Sequence, residues 1–282
     1  MKHKEFFKIE SSGYLGGKSA EGTYQTIINQ IPSHRTYVEG CLGHGSIMRK
    51  KKPAEFQIGI DLDSEVIEVW KHAVDLSPLK LSILQASILE LELPCFYERS
   101  TFVYLDPPYL HSKRRSSHRY NFELSNEEHL RLLQRVKEFD CMIAISCYDS
   151  GLYQDELRDW RRIHFDVMTR GGTMATETLY MNYAAVPPKQ LHDKRFLGDN
   201  YRTRENTRKR LNTIHRKIQR LDIHEKAMLI DELTPLIQSM MDHTAVFVGA
   251  DLTAESGGSF SEAIAKTDGN RLPPKMVVLD QN

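Results

Sequence analysis

From residue 35 onward, short apolar runs alternate with amphipathic stretches, and this pattern constrains the fold more than any other feature of the chain. Short apolar runs predict buried strands, and the amphipathic stretches between them predict crossover helices. The strand candidates span 35–42, 56–61, 80–84, 101–105, 141–146, 163–169 and 178–183. This alternation is typical of an α/β sheet whose parallel strands are connected by helices.

Three helices are predicted from their boundary signals. Ser125 and Glu128 form a capping box, and apolar residues at helical spacing follow, which predicts a helix over 125–139. A second helix begins near Ser19 and ends before Pro32. A third spans 225–243 and is interrupted only by Pro235.

Composition narrows the class of protein. The 282 residues are 40% hydrophobic, and the 38 basic and 38 acidic residues balance to a net charge of zero. The four cysteines form no Cys-x-x-Cys pair, and the histidines show no ligand spacing, so we expect neither a disulfide framework nor a metal site. No segment has the length and apolarity of a signal or membrane helix. The expected setting is the cytoplasm, without a membrane partner.

The composition changes in the last third of the chain. Residues 194–220 contain ten Lys and Arg against two acids, a local charge of +8 in a neutral chain. Residues after about 249 are rich in Gly, Ser, Ala and Asp and show little periodicity. We therefore predict an α/β catalytic domain over 1–187, a helical basic nucleic-acid-binding extension over 188–249, and a loop or flexible tail over 250–282.

The sharpest chemical motif is Asp106-Pro107-Pro108-Tyr109, which follows the strand candidate 101–105. Open α/β sheets bind ligands at the carboxyl ends of their strands. An ionised Asp106 and the carbonyl of Pro107 offer two acceptors for an amino group, and Tyr109 offers a ring for stacking on an extruded base. The prolines stiffen the turn. With its two acceptors and its aromatic ring, the motif suits the 6-amino group of adenine.

A second motif lies upstream, where the strand containing Glu39 runs into a glycine turn at Gly43 and Gly45. Glycine lets backbone approach a ligand closely. Asp61 ends the next strand, 18 residues after Gly43, near the spacing at which a carboxylate takes ribose hydroxyls.

Four motifs, taken together and in their order along the chain, resemble the Dam-type family of DNA adenine methyltransferases. They are Gly16-Gly17-Lys18, Glu39 with the glycine turn, Asp61, and Asp106 to Tyr109. The resemblance covers roughly residues 12–185 and includes Ile145-Ser146 and the segment 177–183. It implies a Rossmann-like class I methyltransferase fold, an α/β sheet of seven mostly parallel strands with helices on both faces. The cofactor implied is S-adenosylmethionine.

The resemblance also implies roles for individual residues. The residues implied to bind the target amino group are Asp106, Pro107, Pro108 and Tyr109. The implied cofactor-binding residues are Tyr14, Lys18, Glu39, Gly43, Gly45, Asp61, Ser87 and Asp106. Two departures stand out. Gly40-Cys41-Leu42 replaces the family's Pro-Phe-Ala, and Ser87 replaces the acid that in the family touches the adenine of the cofactor. Ser87 can still form one hydrogen bond, so we expect weaker cofactor affinity there and not its loss.

The chain lacks room for the recognition domain that most family members insert, because only 44 residues separate Asp61 from Asp106. Two basic segments are therefore predicted to bind nucleic acid. The residues assigned to this role are Lys113, Arg114, Arg115, Arg119, Arg202, Arg204, Arg208, Lys209 and Arg210.

The leading hypothesis is methyl transfer to adenine in DNA by direct displacement, after the base has left the duplex. An RNA adenine methyltransferase is one alternative, since RNA targets are often single-stranded. A non-catalytic nucleic-acid-binding protein with the same fold is another. The oligomeric state and the recognition sequence stay open.

Overall fold

The structure, a computed structural model, describes residues 18–75, 80–110, 123–168, 172–198, 200–245 and 276–277. The chain divides into two compact units. One comprises Met1–Leu197 with Ala263–Asn282 and contains the sheet, and the other comprises Gly198–Glu262 and contains two long helices. The second unit begins at Gly198, and the functional boundary after residue 187 stays a prediction.

The sheet has the strand order β6-β7-β5-β4-β1-β2-β3-β8. The strands β1 to β5 pair in parallel where they are neighbours, and β7 is antiparallel to both β5 and β6. Their bounds are Thr36–Gly40 (β1), Phe56–Asp61 (β2), Leu81–Gln85 (β3), Thr101–Leu105 (β4), Met142–Cys147 (β5), Arg161–Met168 (β6), Met174–Met181 (β7) and Met276–Val277 (β8). The order of β1 to β7 confirms the Rossmann-like class I methyltransferase fold. The sheet has eight strands and not the seven expected, because the two-residue strand β8 pairs with the edge strand β3.

Seven α-helices lie in the described part of the chain, and α2 to α5 among them connect strands of the sheet. The bounds are Thr23–Ile28 (α1), Ser46–Lys50 (α2), Ser64–Asp75 (α3), Asn126–Val136 (α4), Gly151–Glu156 (α5), Tyr201–Arg220 (α6) and Ile223–Ala245 (α7). From β1 the chain builds outward to β2 and β3, then returns to add β4 and β5 on the other side. Right-handed crossovers therefore place α2 and α3 on one face and α4 and α5 on the other. The strand order reverses between β1 and β4, which is where such sheets open a ligand crevice.

Local signals account for most element bounds. The capping box of α4 is confirmed: the Ser125 hydroxyl accepts from the Glu128 amide at 3.2 Å, and the Glu128 carboxylate accepts from the Ser125 amide at 2.8 Å. The first predicted strand ends earlier than expected, because Cys41 has a φ of 56° and starts the glycine turn. The predicted strand 178–183 is the second half of β7, whose first three residues are not buried and so lack an apolar pattern.

Two described elements bear on the expectations for the end of the chain. The predicted loop or tail over 250–282 includes β8, which pairs antiparallel with β3. The predicted helix over 225–243 is confirmed as α7, which is two residues longer at each end and has Pro235 inside it. In the described part of the chain, no helix is both long and apolar enough to cross a membrane.

Candidate active site

A cavity of about 220 Å³ opens at the carboxyl ends of β1 to β4, beside the point where the strand order reverses. Parallel strands bring their carboxyl ends to one edge, so motifs far apart in sequence meet there. The described members of the predicted cofactor set all line this cavity: Lys18, Glu39, Gly43, Gly45, Asp61, Ser87 and Asp106. Pro108 also lines it. Tyr14 lies outside the described residues.

The glycine turn after β1 depends on positive φ angles. Gly43 and Gly45 have φ of 46° and 57°. A Cβ on Gly45 would lie 2.1 Å from a ring carbon of Trp70. That indole is fully buried and donates its Nε1–H to the carbonyl of Gly43 at 2.9 Å. Trp70 therefore packs against the turn and holds it in place. Only glycine fits at position 45.

Asp61 ties the glycine turn to the start of α3. One carboxylate oxygen accepts from the Gly43 amide at 2.8 Å, and the other accepts from the Asp63 amide at 2.9 Å. Asp63 in turn accepts from the Glu65 amide at 2.9 Å at the start of α3. Burial raises the pKa of Asp61. The sequence predicts a ribose contact for Asp61, and the structure adds a scaffolding role, since each carboxylate oxygen can still accept another bond.

Glu39 is a buried carboxyl at the cavity wall. The hydroxyl of Tyr37 and the amide of Met48 both donate to its Oε2 at 2.8 Å, which joins β1 to α2. Burial raises its pKa to about 8, although the two donors act in the opposite direction. The carboxyl is therefore held partly protonated near neutral pH.

The raised pKa of Glu39 predicts a pH-dependent stability. Between about pH 4.5 and 8 the folded chain keeps a proton that the unfolded chain has released. The free energy of unfolding should therefore fall as pH rises, by at most about 1.4 kcal/mol per pH unit from this group. Glu39→Gln keeps an acceptor for Tyr37 and Met48 and removes the titration. Urea unfolding across this range should show a shallower pH slope for the variant, and equal slopes would contradict the assignment.

Asp106 is the centre of a polar cluster directly after β4. Lys18, whose side chain is only 4% exposed, donates from its ammonium to Oδ1 at 2.6 Å and to Oδ2 at 2.8 Å. The Ser146 hydroxyl, at the end of β5, also donates to Oδ1 at 2.8 Å. The Ser146 hydroxyl oxygen lies 2.8 Å from the buried hydroxyl oxygen of Tyr104, at hydrogen-bond distance. These contacts fix the orientation of the carboxylate.

Tyr109 is anchored by its hydroxyl. It accepts from the Lys18 ammonium at 2.8 Å and donates to Glu177 Oε1 on β7 at 2.6 Å. Its ring packs against Tyr148 with centroids 4.3 Å apart and planes tilted by 47°. The tyrosine therefore has a defined position next to the Asp106 carboxylate.

The charges in the cluster depend on one another. Burial by itself lowers the pKa of Lys18, but the charges of Asp106 and Glu177 outweigh it and hold the pKa well above its ordinary value. Burial raises the pKa of Asp106, and Lys18 opposes that shift. The ammonium thus lets a buried carboxylate stay ionised.

Sequence reasoning assigned no role to Ser146, Glu177 or Tyr104, although the first two lie in segments that resemble the family. A usable signal existed for Glu177, since it is an acid at the edge of the buried half of a strand. Lys18 was predicted to touch the cofactor; its direct contact with Asp106 was not predicted.

The predicted nucleic-acid-binding residues are divided between described and undescribed parts. Lys113, Arg114, Arg115 and Arg119 lie outside the described residues. Arg202, Arg204, Arg208, Lys209 and Arg210 all lie on α6, as predicted for a basic helix. Of these, Arg204 donates to the Gly198 carbonyl at 3.0 Å, and Arg208 forms an ion pair with Glu205.

The described residues contain no cluster of three or more His, Cys, Asp or Glu side chains that could hold a metal ion. Cys141 and Cys147, predicted to be core thiols, are both buried. Burial raises the pKa of Cys141 to about 12.

No protein-family model matches the sequence, and no curated protein matches it. Several solved structures resemble it at low identity. Precorrin-8w decarboxylase of Methanobacterium thermoautotrophicum is 13% identical, with a TM-score of 0.40 over 63% of this chain and 97% of that one. The tRNA (uracil-54, C5)-methyltransferase of Pyrococcus abyssi, in complex with S-adenosyl-L-homocysteine, is 14% identical, with a TM-score of 0.40 over 63% of this chain and 44% of that one.

A dimethyladenosine transferase of Plasmodium falciparum is 12% identical, with a TM-score of 0.38 over 56% of this chain and 60% of that one. These TM-scores are low, so the fold assignment rests on the strand order and not on the likenesses. That order is the Rossmann-like arrangement of class I methyltransferases, with the cavity at its switch point.

Proposed function

We propose that this protein is an S-adenosylmethionine-dependent methyltransferase that modifies the 6-amino group of adenine in DNA. The observation that carries the proposal is the position of Asp106. Its carboxylate lies at the carboxyl end of β4 and lines the same cavity as the glycine turn and Asp61. A cofactor site and an acceptor for an amino group thus share one crevice.

The cavity wall suits a cationic cofactor with hydrogen-bonding groups. Six acids line it: Glu39, Asp61, Asp63, Asp106, Glu123 and Glu128. Ser46, 5% exposed, also lines it, and its buried hydroxyl has no hydrogen-bond partner among the described residues. S-adenosylmethionine carries a sulfonium and an ammonium that acids stabilise, and polar groups that a free hydroxyl can bind. When bound, it supplies an electrophilic methyl group.

The residues of the Asp106 cluster then act on the target base. Asp106 accepts a hydrogen bond from the amino group, and the Pro107 carbonyl is the proposed second acceptor. These two hydrogen bonds make the nitrogen lone pair available to attack the methyl group. Ser146 holds the carboxylate in orientation, and the anchored ring of Tyr109 stacks on the flipped base. A developing positive charge on the amino group is stabilised by the nearby carboxylates.

One face of α6 suits a phosphate backbone. Arg202, Lys209, Arg216 and Arg220 recur at helical spacing on one side and are exposed. Leu211, Ile214 and Ile218 lie on the opposite side. Lys209 also lies 3.8 Å from Glu205, so a phosphate there would compete with one carboxylate. We propose that the side of α6 with these four basic residues contacts nucleic acid.

Methyl transfer from labelled S-adenosylmethionine to unmethylated duplex DNA, single-stranded DNA and RNA tests the proposal, with nucleoside digestion to identify the product. Labelled 6-methyladenine from DNA would support it. Label only in RNA would replace DNA by RNA as the substrate. Binding of nucleic acid without any transfer would favour a non-catalytic module.

Neutralising the basic face of α6 should weaken binding to all DNA sequences alike. Replacing Arg202, Lys209 and Arg216 together by Gln should lower the slope of log K against log salt by about 0.9 for each phosphate that is no longer neutralised. The matched control replaces three exposed basic residues elsewhere, namely Arg131, Arg158 and Lys189. Fluorescence anisotropy with a labelled duplex at several salt concentrations gives both slopes. Equal slopes in the two variants would remove α6 from the interface.

A further inference from the structure

Lys18 occupies the acceptors that the target amino group needs. Its ammonium has three N–H donors, and it donates to Asp106 Oδ1, Asp106 Oδ2 and the Tyr109 hydroxyl at 2.6, 2.8 and 2.8 Å. It also lies 5.2 Å from the centroid of the Tyr109 ring. In this state Asp106 is bound to an amine of the protein itself, so an incoming amino group must compete with Lys18.

Glu177 offers a second position for that ammonium. Its side chain is 3% exposed, and Oε1 accepts from Tyr109 at 2.6 Å. Its other oxygen, Oε2, is buried and has no hydrogen-bond partner within the described part of the chain. A buried carboxylate oxygen without a donor is costly, and it points here to a donor that arrives in another state of the site.

The donor is close at hand. Lys18 Nζ lies 3.4 Å from Glu177 Oε2. A shift of under about 1 Å would bring the two atoms to the roughly 2.8 Å separation of a charge-assisted hydrogen bond. Tyr109 touches both side chains, so the ammonium can keep its bond to the tyrosine hydroxyl while it moves.

We propose that Glu177 is a positioning residue that receives the ammonium of Lys18 when the target amino group binds Asp106. The inference rests on the proposed function. In the free protein Lys18 keeps Asp106 ionised and occupied. On binding, Lys18 exchanges the Asp106 oxygens for Glu177 Oε2, and Asp106 accepts from the base. No covalent bond changes, and the positive charge stays paired inside the same buried cluster throughout.

The net charge of the buried cluster suggests a set of variants that tests the proposal. Asp106, Glu177 and Lys18 together carry a net charge of −1, which suits an amino group that becomes cationic. Glu177→Gln brings the sum to zero and leaves Lys18 on Asp106. Lys18→Met brings it to −2 and leaves two buried carboxylates without their cation, which favours protonation of Asp106. The double variant Lys18→Met with Glu177→Gln returns to −1 with Asp106 unoccupied.

The experiment measures kcat/KM for methyl transfer to the best nucleic-acid substrate of the wild type, with thermal unfolding as a check on folding. Each single variant should lose at least about tenfold in kcat/KM, and the double variant should recover at least about tenfold relative to Glu177→Gln. A residue that only supports the fold would give losses that add in the double variant. Additive losses with an active wild type would overturn this inference alone. An inactive wild type on DNA and RNA would overturn the proposed function and this inference together.

Discussion

Asp106→Asn is expected to lower methyl transfer by at least about 1000-fold. An amide cannot accept from the amino group with the strength of a carboxylate, and removal of one preorganised group at a reaction centre costs about 100- to 1000-fold. The substitution also removes a negative charge from the cluster beside an amino group that becomes cationic. Both effects act on the same step, so we place the expected loss at the upper end.

The measurement is kcat/KM with labelled cofactor, beside cofactor binding by calorimetry and thermal unfolding. In the variant the Lys18 ammonium still has the Glu177 carboxylate as a partner, at 3.4 Å. We therefore expect the variant to fold, with some loss of stability. Asp155→Asn, at an exposed site on α5, is the matched control and should keep wild-type transfer. Transfer within tenfold of wild type by a folded Asp106→Asn would remove Asp106 from the reaction.

Gly45→Ala should destabilise the fold by about 3 kcal/mol or more. The φ of 57° is unfavourable for any side chain, which costs about 1–3 kcal/mol, and overpacking a core costs a similar amount. The new methyl would lie 2.1 Å from Trp70, which is fully buried and bonded to Gly43, so the indole has little freedom to move away. The glycine turn should shift, and cofactor binding should weaken with it.

Gly151→Ala is the control, since a Cβ there meets no atom within 4 Å. We expect its free energy of unfolding to stay within about 0.5 kcal/mol of wild type. Urea unfolding followed by tryptophan fluorescence measures both variants, and Trp70 reports directly on the turn. If Gly45→Ala were as stable as Gly151→Ala, the turn could not be held by Trp70 in the way described.

Several elements could be predicted because their signals are local. The strands Phe56–Asp61 and Thr101–Leu105 have the predicted bounds, since each is an apolar run that ends at a polar or proline residue. The capping box placed the start of α4. The strand β8 was missed because a two-residue strand is too short to show a periodicity, and its pairing with β3 is a long-range contact.

The candidate site was partly predictable for the same reason. Glu39, Asp61 and Asp106 follow strand candidates, and parallel strands bring their carboxyl ends to one edge, so their meeting in one cavity follows from the fold class. The partners of each carboxylate did not follow. Asp61 binds backbone amides of the glycine turn and of Asp63, a role that depends on how β2 sits beside β1.

By itself, then, the sequence determined the α/β class, the order of the motifs and the place of Asp106 directly after β4, because periodicity, turn residues and capping signals act over a few neighbouring positions. Only the tertiary structure decided that Lys18 binds Asp106, 88 positions away, and that Tyr109 binds Glu177, 68 positions away. The physical reason is that such contacts depend on strand order and on packing across the sheet. The antiparallel insertion of β7 beside β5 brings Glu177 to the edge where Asp106 and Ser146 lie, and no local pattern specifies that insertion.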